Sequence, residues 1–215
     1  MTVKRIFKYP SNEIKTKCEN FDISSDDFTI FKDLYDTMNY YNQNDIISFI
    51  TANQIGYNKN IAIITGKLDD PSYWFIVNPV ISNYSNHTTS QKEFSVSSVG
   101  FSSNIDRSNS IKIEYTRFEF PELTHEKQDS NGITMLNKEL DMTNPSILKD
   151  QEFLFTTDSP YINTLQAVVD QLNGLCFIDK LTFYNKNRFK KHVEKIKRKV
   201  KQQLTGSTRL NRKAN

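Results

Sequence analysis

The apolar positions along the chain follow two periods. From Ser25 to Asn42, Phe28, Phe31, Leu34, Tyr35 and Met38 recur three and four residues apart, which predicts an amphipathic helix. Ser24 or Ser25 is its candidate N-cap, with Asp26 and Asp27 favouring the first turn. Leu165, Val168, Val169 and Leu172 repeat the spacing and predict a central helix that begins near Ser159 and stops at Asn173-Gly174, with the glycine as a left-handed terminus. A short apolar run, Leu175 to Ile178, follows and is closed by Asp179. From Lys186 to Gln203, Phe189, Val193, Ile196 and Val200 draw a narrow stripe on a very basic helix, which Thr205-Gly206-Ser207 is expected to end. Continuous apolar runs, Ile61–Ile64 and Trp74–Val77, predict buried strands with a turn at Lys67–Pro71. Ile111–Tyr115 and Glu152–Thr156 read as further strands, and Ile6–Pro10 reads as an extended entry. Ser82–Gln91 reads as a polar loop, and Asp129–Gly132 as a turn.

Composition adds bulk and polarity to this picture. At 215 residues the chain fits one domain with an excursion or a tail. Mean hydropathy is −0.60, yet 15 Phe and 10 Tyr supply material for a core. The wealth of Asn, Ile, Lys and Ser, with only 6 Gly and 6 Pro, fits an AT-rich genome such as that of a phage or a low-GC bacterium. No 18-residue apolar run indicates a membrane helix, and the opening MTVKRIFKYPSNEIK lacks an apolar signal core. Cys18 and Cys176 form no metal-spaced pair and read as reduced thiols in a cytosolic setting.

Charge changes the picture more. From Lys180 to Asn215, 13 Lys and Arg stand against one acid, Glu194, a net charge of +12. The rest of the chain holds 15 basic and 24 acidic residues, a net charge of −9. An acidic body with a basic tail predicts an anionic partner for the tail. Lys190, Lys191, Lys195, Arg198, Lys199, Lys201, Arg209 and Arg212 are the candidate contacts. A solvated charged face is the plain alternative, and the one-signed run argues against it.

Three stretches carry a resemblance. Gln166, Asp170, Leu172, Asn173, Gly174 and Asp179 match the motif Q-H-E-x-D-H-L-x-G and its trailing Asp. Glu93 and Ser97 match E-G-C-L-S, and the register runs ungapped to Arg107. Ala52 and Gln54 match G-x-G-x-A-A-x-Q, and Asn78-Pro79 matches a strand-ending N-P. Together, in this order, they resemble the peptide deformylases. The resemblance implies an α+β fold: a deformylase-like mixed sheet around a central helix in residues 1–185, with a basic C-terminal helix and tail in 186–215. It also implies that Pro121 to about Lys149 is an insertion of about 30 residues, usually a lid or a partner contact.

In that family a divalent metal held by Cys and two His activates water, Glu shuttles the proton, and Gln with a backbone N–H stabilises the oxyanion. Transferred onto this chain, the ligand positions hold Ser95, Ala167 and Gln171, and the base position holds Val168. Only Gln54 and the N–H of Val96 remain. Ile47 and Phe49 fill the two motif glycines and are expected to occlude a substrate groove. Gln54 and Gln171 are expected to hydrogen-bond within the former site, and Arg107 with Asp170 to form a structural ion pair.

The expectation is therefore a degenerate deformylase with no cofactor, no metal, no small-molecule substrate and no membrane contact. It is reused as a structural or assembly subunit with other protein subunits as partners, concretely a tailed-phage tail or baseplate component, located in the cytoplasm or the virion. Two alternatives stand beside it. One is a ribosomal-RNA binder acting through Lys186 to Lys213. The other is a divergent hydrolase using Ser95, which would need an adjacent base; none of His87, His125 and His192 sits at a motif position.

Overall fold

A computed structural model describes residues 2–42, 47–65, 73–98, 100–128, 134–141, 143 and 145–211. The expected turns at Lys67–Pro71 and Asp129–Gly132, and the candidate contact Arg212, lie outside the described residues. The α+β expectation holds. Three α-helices and nine strands are described: α1 Thr29–Tyr41, β1 Phe49–Thr51, β2 Ile61–Thr65, β3 Tyr73–Tyr84, β4 Thr88–Phe94, β5 Ser102–Ser108, β6 Ser110–Glu119, β7 Glu122–Gln128, β8 Thr134–Leu140, β9 Ser146–Thr156, α2 Ile162–Leu172 and α3 Phe183–Asn211.

One five-stranded sheet, ordered β1-β2-β3-β6-β9 and antiparallel throughout, is the floor of both cores. Its strands β2 and β3 read as unbroken apolar runs because both faces are covered. Ile61, Ile63, Phe75, Val77 and Phe118 face α1, where Phe31, Leu34, Tyr35 and Met38 meet them. Phe31 sits in the middle of this aromatic core, with its ring centroid 5.1 Å from those of Phe75 and Phe118. Ala62, Ile64, Ile76 and Ile113 face the other way, onto Leu165, Val168, Val169 and Leu172 of α2. The residues that set the helical periods are thus the ones that close the cores, and α2 is central because it is buried along most of its length.

Several boundaries differ from the sequence reading. α1 starts at Thr29: Ser24 and Ser25 donate to the Asp22 carboxylate instead of capping the helix, and the Thr29 N–H is taken by Asp27. Asn78-Pro79 does not end its strand. Asn78 adopts φ +52 and brackets Phe21 with its side-chain amide, so β3 bulges there and runs on to Tyr84. The expected loop Ser82–Gln91 is therefore mostly strand, with only residues 85–87 between β3 and β4. The excursion after Pro121 folds as the hairpin β7–β8 on the end of the β6–β9 ladder, and β9 already begins at Ser146. α2 begins at Ile162 rather than near Ser159. α3 starts at Phe183, runs through Thr205-Gly206-Ser207 and extends to Asn211.

Candidate functional site

Three segments converge beside α2. The turn after β1, Ala52–Ile55, closes on itself: the Thr51 N–H donates to Gln54 Oε1 at 3.0 Å, and Thr51 Oγ1 donates to Asn53 Oδ1 at 2.7 Å. Asn53 Nδ2 reaches across to the Gln171 carbonyl at 2.8 Å, which ties this turn to α2. The turn between β4 and β5 supplies Ser95 to Ser98. Gln54 Nε2 donates to Ser95 Oγ and to Ser97 Oγ, 3.1 Å each, so both amide hydrogens are used. The Ser97 N–H also donates to Ser95 Oγ at 3.2 Å. Both lone pairs of the Ser95 hydroxyl are then acceptors within the chain.

On α2 the pattern is the same. Gln171 Nε2 donates to the Ile14 carbonyl at 2.9 Å, and Cys176 Sγ donates to that same carbonyl at 3.3 Å. Ala167 and Val168 are buried with no polar atom to contribute. Gln54 and Gln171 are thus both satisfied, each by its own neighbours rather than by the other. Burial lifts the Cys176 thiol to about 11 and the Cys18 thiol to about 12.

A charged cluster braces this region. Arg107 of β5 is nine-tenths buried and holds Glu93 of β4 through Nε at 2.9 Å and Nη2 at 2.8 Å. Its Nη1 donates to Asp170 of α2, which Lys180 also meets at 2.8 Å. The expected Arg107–Asp170 pair is therefore present, and Glu93 completes it. Burial pushes the Glu93 carboxyl above its ordinary range, against the attraction of Arg107. Gln166 pins α2 to β5 by exchanging two hydrogen bonds with the backbone of Ser108, at 3.0 and 2.9 Å.

The geometry carries a family signature as well. The model of the family described as polypeptide deformylase matches residues 3–153. The chain belongs to the polypeptide deformylase family. Deformylase structures cover nearly all of it: that of Ehrlichia chaffeensis in complex with actinonin (22% identity, TM-score 0.61, 93% of this chain and 98% of that one), that of Legionella pneumophila (18%, 0.65, 91% and 96%) and that of Plasmodium falciparum (21%, 0.62, 92% and 97%). At such identities the likeness shows the deformylase fold. The family match ends before α2, so the third motif rests on its own residues and on the contacts of Gln166, Asp170 and Gly174.

The metal that deformylases use does not fit the residues present. A transition ion needs lone pairs from thiolate, imidazole or carboxylate. Ala167 has none, Gln171 offers only a neutral amide oxygen, and Ser95 Oγ already accepts two hydrogen bonds. Among the described residues no three His, Cys, Asp or Glu form a metal-binding group. Among the described residues Ser95 meets no base: its hydrogen bonds go to Gln54, Ser97 and Ser98. His87 is exposed in the turn before β4, His192 lies beside Phe101 on α3, and His125 is on β7, where its side chain is outside the description. Ile47 packs toward the α1 core and Phe49 toward the α2 core.

Ile14, Asn53 and Ser98 complete the site and were not singled out from sequence; Cys176 was read only as a reduced thiol. No motif marks Ile14 or Asn53, because each acts through geometry 118 or more residues away in the chain.

The basic candidates sit elsewhere. Lys190, Lys191, Lys195, Arg198, Lys199 and Lys201 are all exposed on α3; Arg209 also lies on α3, with its side chain outside the description. Phe189 anchors the helix base, 5.7 Å from the Tyr9 ring and 5.4 Å from Phe101. Arg188, Lys191, His192 and Lys195 line a surface groove of about 430 Å³ against Gly100, Phe101 and Ser102.

Proposed function

We infer that this chain is a non-catalytic member of the deformylase family, whose work is done by its surface as a subunit of a larger assembly. The observation that carries this reading is the occupation of Ser95 Oγ by Gln54 and Ser97, together with the turning of Gln171 to Ile14. The polar atoms of the site hold the fold together rather than converging on a reacting group. The hairpin β7–β8 and the long basic α3 supply the surface such a role needs. A tailed-phage tail or baseplate component is the concrete form proposed, from composition alone. A second reading, RNA binding, draws support from the exposed cations of α3.

The test is formate release from a formylated peptide by the purified chain, with and without added Fe²⁺, Ni²⁺ or Zn²⁺, and metal analysis of the same sample. The expected result is no release above background and no stoichiometric metal. Metal at one equivalent, or release that is lost on Val96→Pro or Gln54→Ala, overturns the reading.

A further inference from the structure

α3 leaves the body carrying an apolar row that the described part of its own chain covers at the base and leaves open toward Val200. Phe189 is buried, Val193 and Ile196 are half-buried, and Val200 is 49% exposed. Their spacing places all four on one helix face. The helix has 29 residues, about 43 Å of length, and Phe189 lies in its second turn. Its distal half therefore cannot fold back onto the surface that holds its base.

The occupant of that face is constrained by charge and by shape. Lys195, Lys197, Arg198, Lys199 and Lys201 flank Ile196 and Val200, and all are exposed. A second α3 would bring like charges together. A phosphate backbone would meet the cations and leave Ile196 and Val200 uncovered. The complement is an acidic surface with exposed apolar side chains, and the chain carries one. Outside the basic segment its net charge is −9. On the sheet, Val80 (57% exposed) and Leu154 (73% exposed) lie around the exposed Glu114. In the register Glu114 stands directly opposite Val80, and its carboxylate is exposed. Lys112, in the next row, is already engaged within its own chain.

We propose that α3 of one copy docks on this sheet face of a second copy, with Ile196 and Val200 against Val80 and Leu154 and with Lys195 and Lys199 toward Glu114. The two surfaces differ, so the contact is head-to-tail and generates a ring or an open chain. This rests on the assembly reading above and names its partner as the chain itself.

Sedimentation velocity on the full chain tests it. At low salt the mass is expected to rise with protein concentration, and to return to monomer at about 0.5 M salt, where the screening length falls to about 4 Å. Val200→Asp on the helix and the double change Glu114→Lys, Leu154→Lys on the sheet each alter exposed positions. Each variant is expected to melt like the wild type and to stay monomeric alone, and the two mixed are expected to form a 1:1 dimer and nothing larger. A wild type that is monomeric throughout, association that survives both variants, or a mixture that stays monomeric overturns the proposal. So does a monomer that binds single-stranded RNA with a steep salt dependence. Stoichiometric metal with formate release would overturn the non-catalytic reading alone, whereas a metal-free inactive monomer would overturn this docking alone.

Discussion

Gln54 shows at the scale of one residue what the site is built for. Its carboxamide accepts from Thr51 and donates to Ser95 and Ser97, with no exposed surface. Gln54→Ala would strand a buried N–H and two hydroxyls, at about 1–3 kcal/mol. Urea unfolding is expected to show a loss in that range, and a loss below about 0.5 kcal/mol would mean the network is slack. The two thiols supply a pH signature. Cys176 is raised to about 11 and Cys18 to about 12, from an ordinary value of 9.0, so the unfolded chain sheds these protons first. Their contribution is intact below about pH 9 and is lost as pH climbs through the folded values. Replacing Cys18 by Ala is expected to flatten the alkaline fall in melting temperature. Motif residues such as Gln54 and Asp170 were legible in the sequence because their identity is their signal. Ile14 was not, since its part is played by a backbone carbonyl that any residue could offer.

Elements were legible where a period ran long and illegible where one side chain overrode it. α2 and the two central strands are where their patterns place them, since burial on a face writes itself into spacing. The start of α1 was misplaced because Ser24 and Ser25 serve Asp22, and the strand through Asn78-Pro79 was cut short because a bulge tolerates what a regular ladder excludes. Gly174 separates conformation from contact. It has φ +77, and a Cβ there would stand 2.4 Å from the Lys15 carbonyl oxygen; Gly100 has φ +74 and open space around it. Both alanine variants carry the left-handed cost of about 1–2 kcal/mol. Gly174→Ala is expected to exceed Gly100→Ala by at least a further 1 kcal/mol or so in denaturant unfolding, because backbone must move. Equal losses would mean that the junction between α2 and the N-terminal segment yields freely.

At the scale of the molecule, a third apolar cluster joins Phe189 and Val193 of α3 to Phe101, Phe177, Ile178 and Leu181, and among the described residues the helix beyond Val193 adds length without adding to it. Truncation after Lys197 is therefore expected to leave the unfolding free energy of the monomer within about 0.5 kcal/mol of the full chain. A larger loss would show that the distal helix is part of the folding unit. The separation of +12 from −9 along the chain was visible in the sequence, whereas the reach of α3 was not, because Gly206 in a helix costs only about 1 kcal/mol and neighbouring turns carry it.

The occupied hydroxyl of Ser95 also bears on how such a chain can change over time. Restoring the four family positions calls for Cys at 95, His at 167, Glu at 168 and His at 171. Taken singly, three of the four first steps break something already in place: the Gln54 contact at Ser95, the apolar packing of Val168, the bond from Gln171 to Ile14. A lone Glu at the fully buried position of Val168 would meet only hydrocarbon. A single new ligand gains no companions to offset these losses. On the non-catalytic reading proposed above, the internal hydrogen bonds would act as a ratchet that leaves the outer surface free to vary.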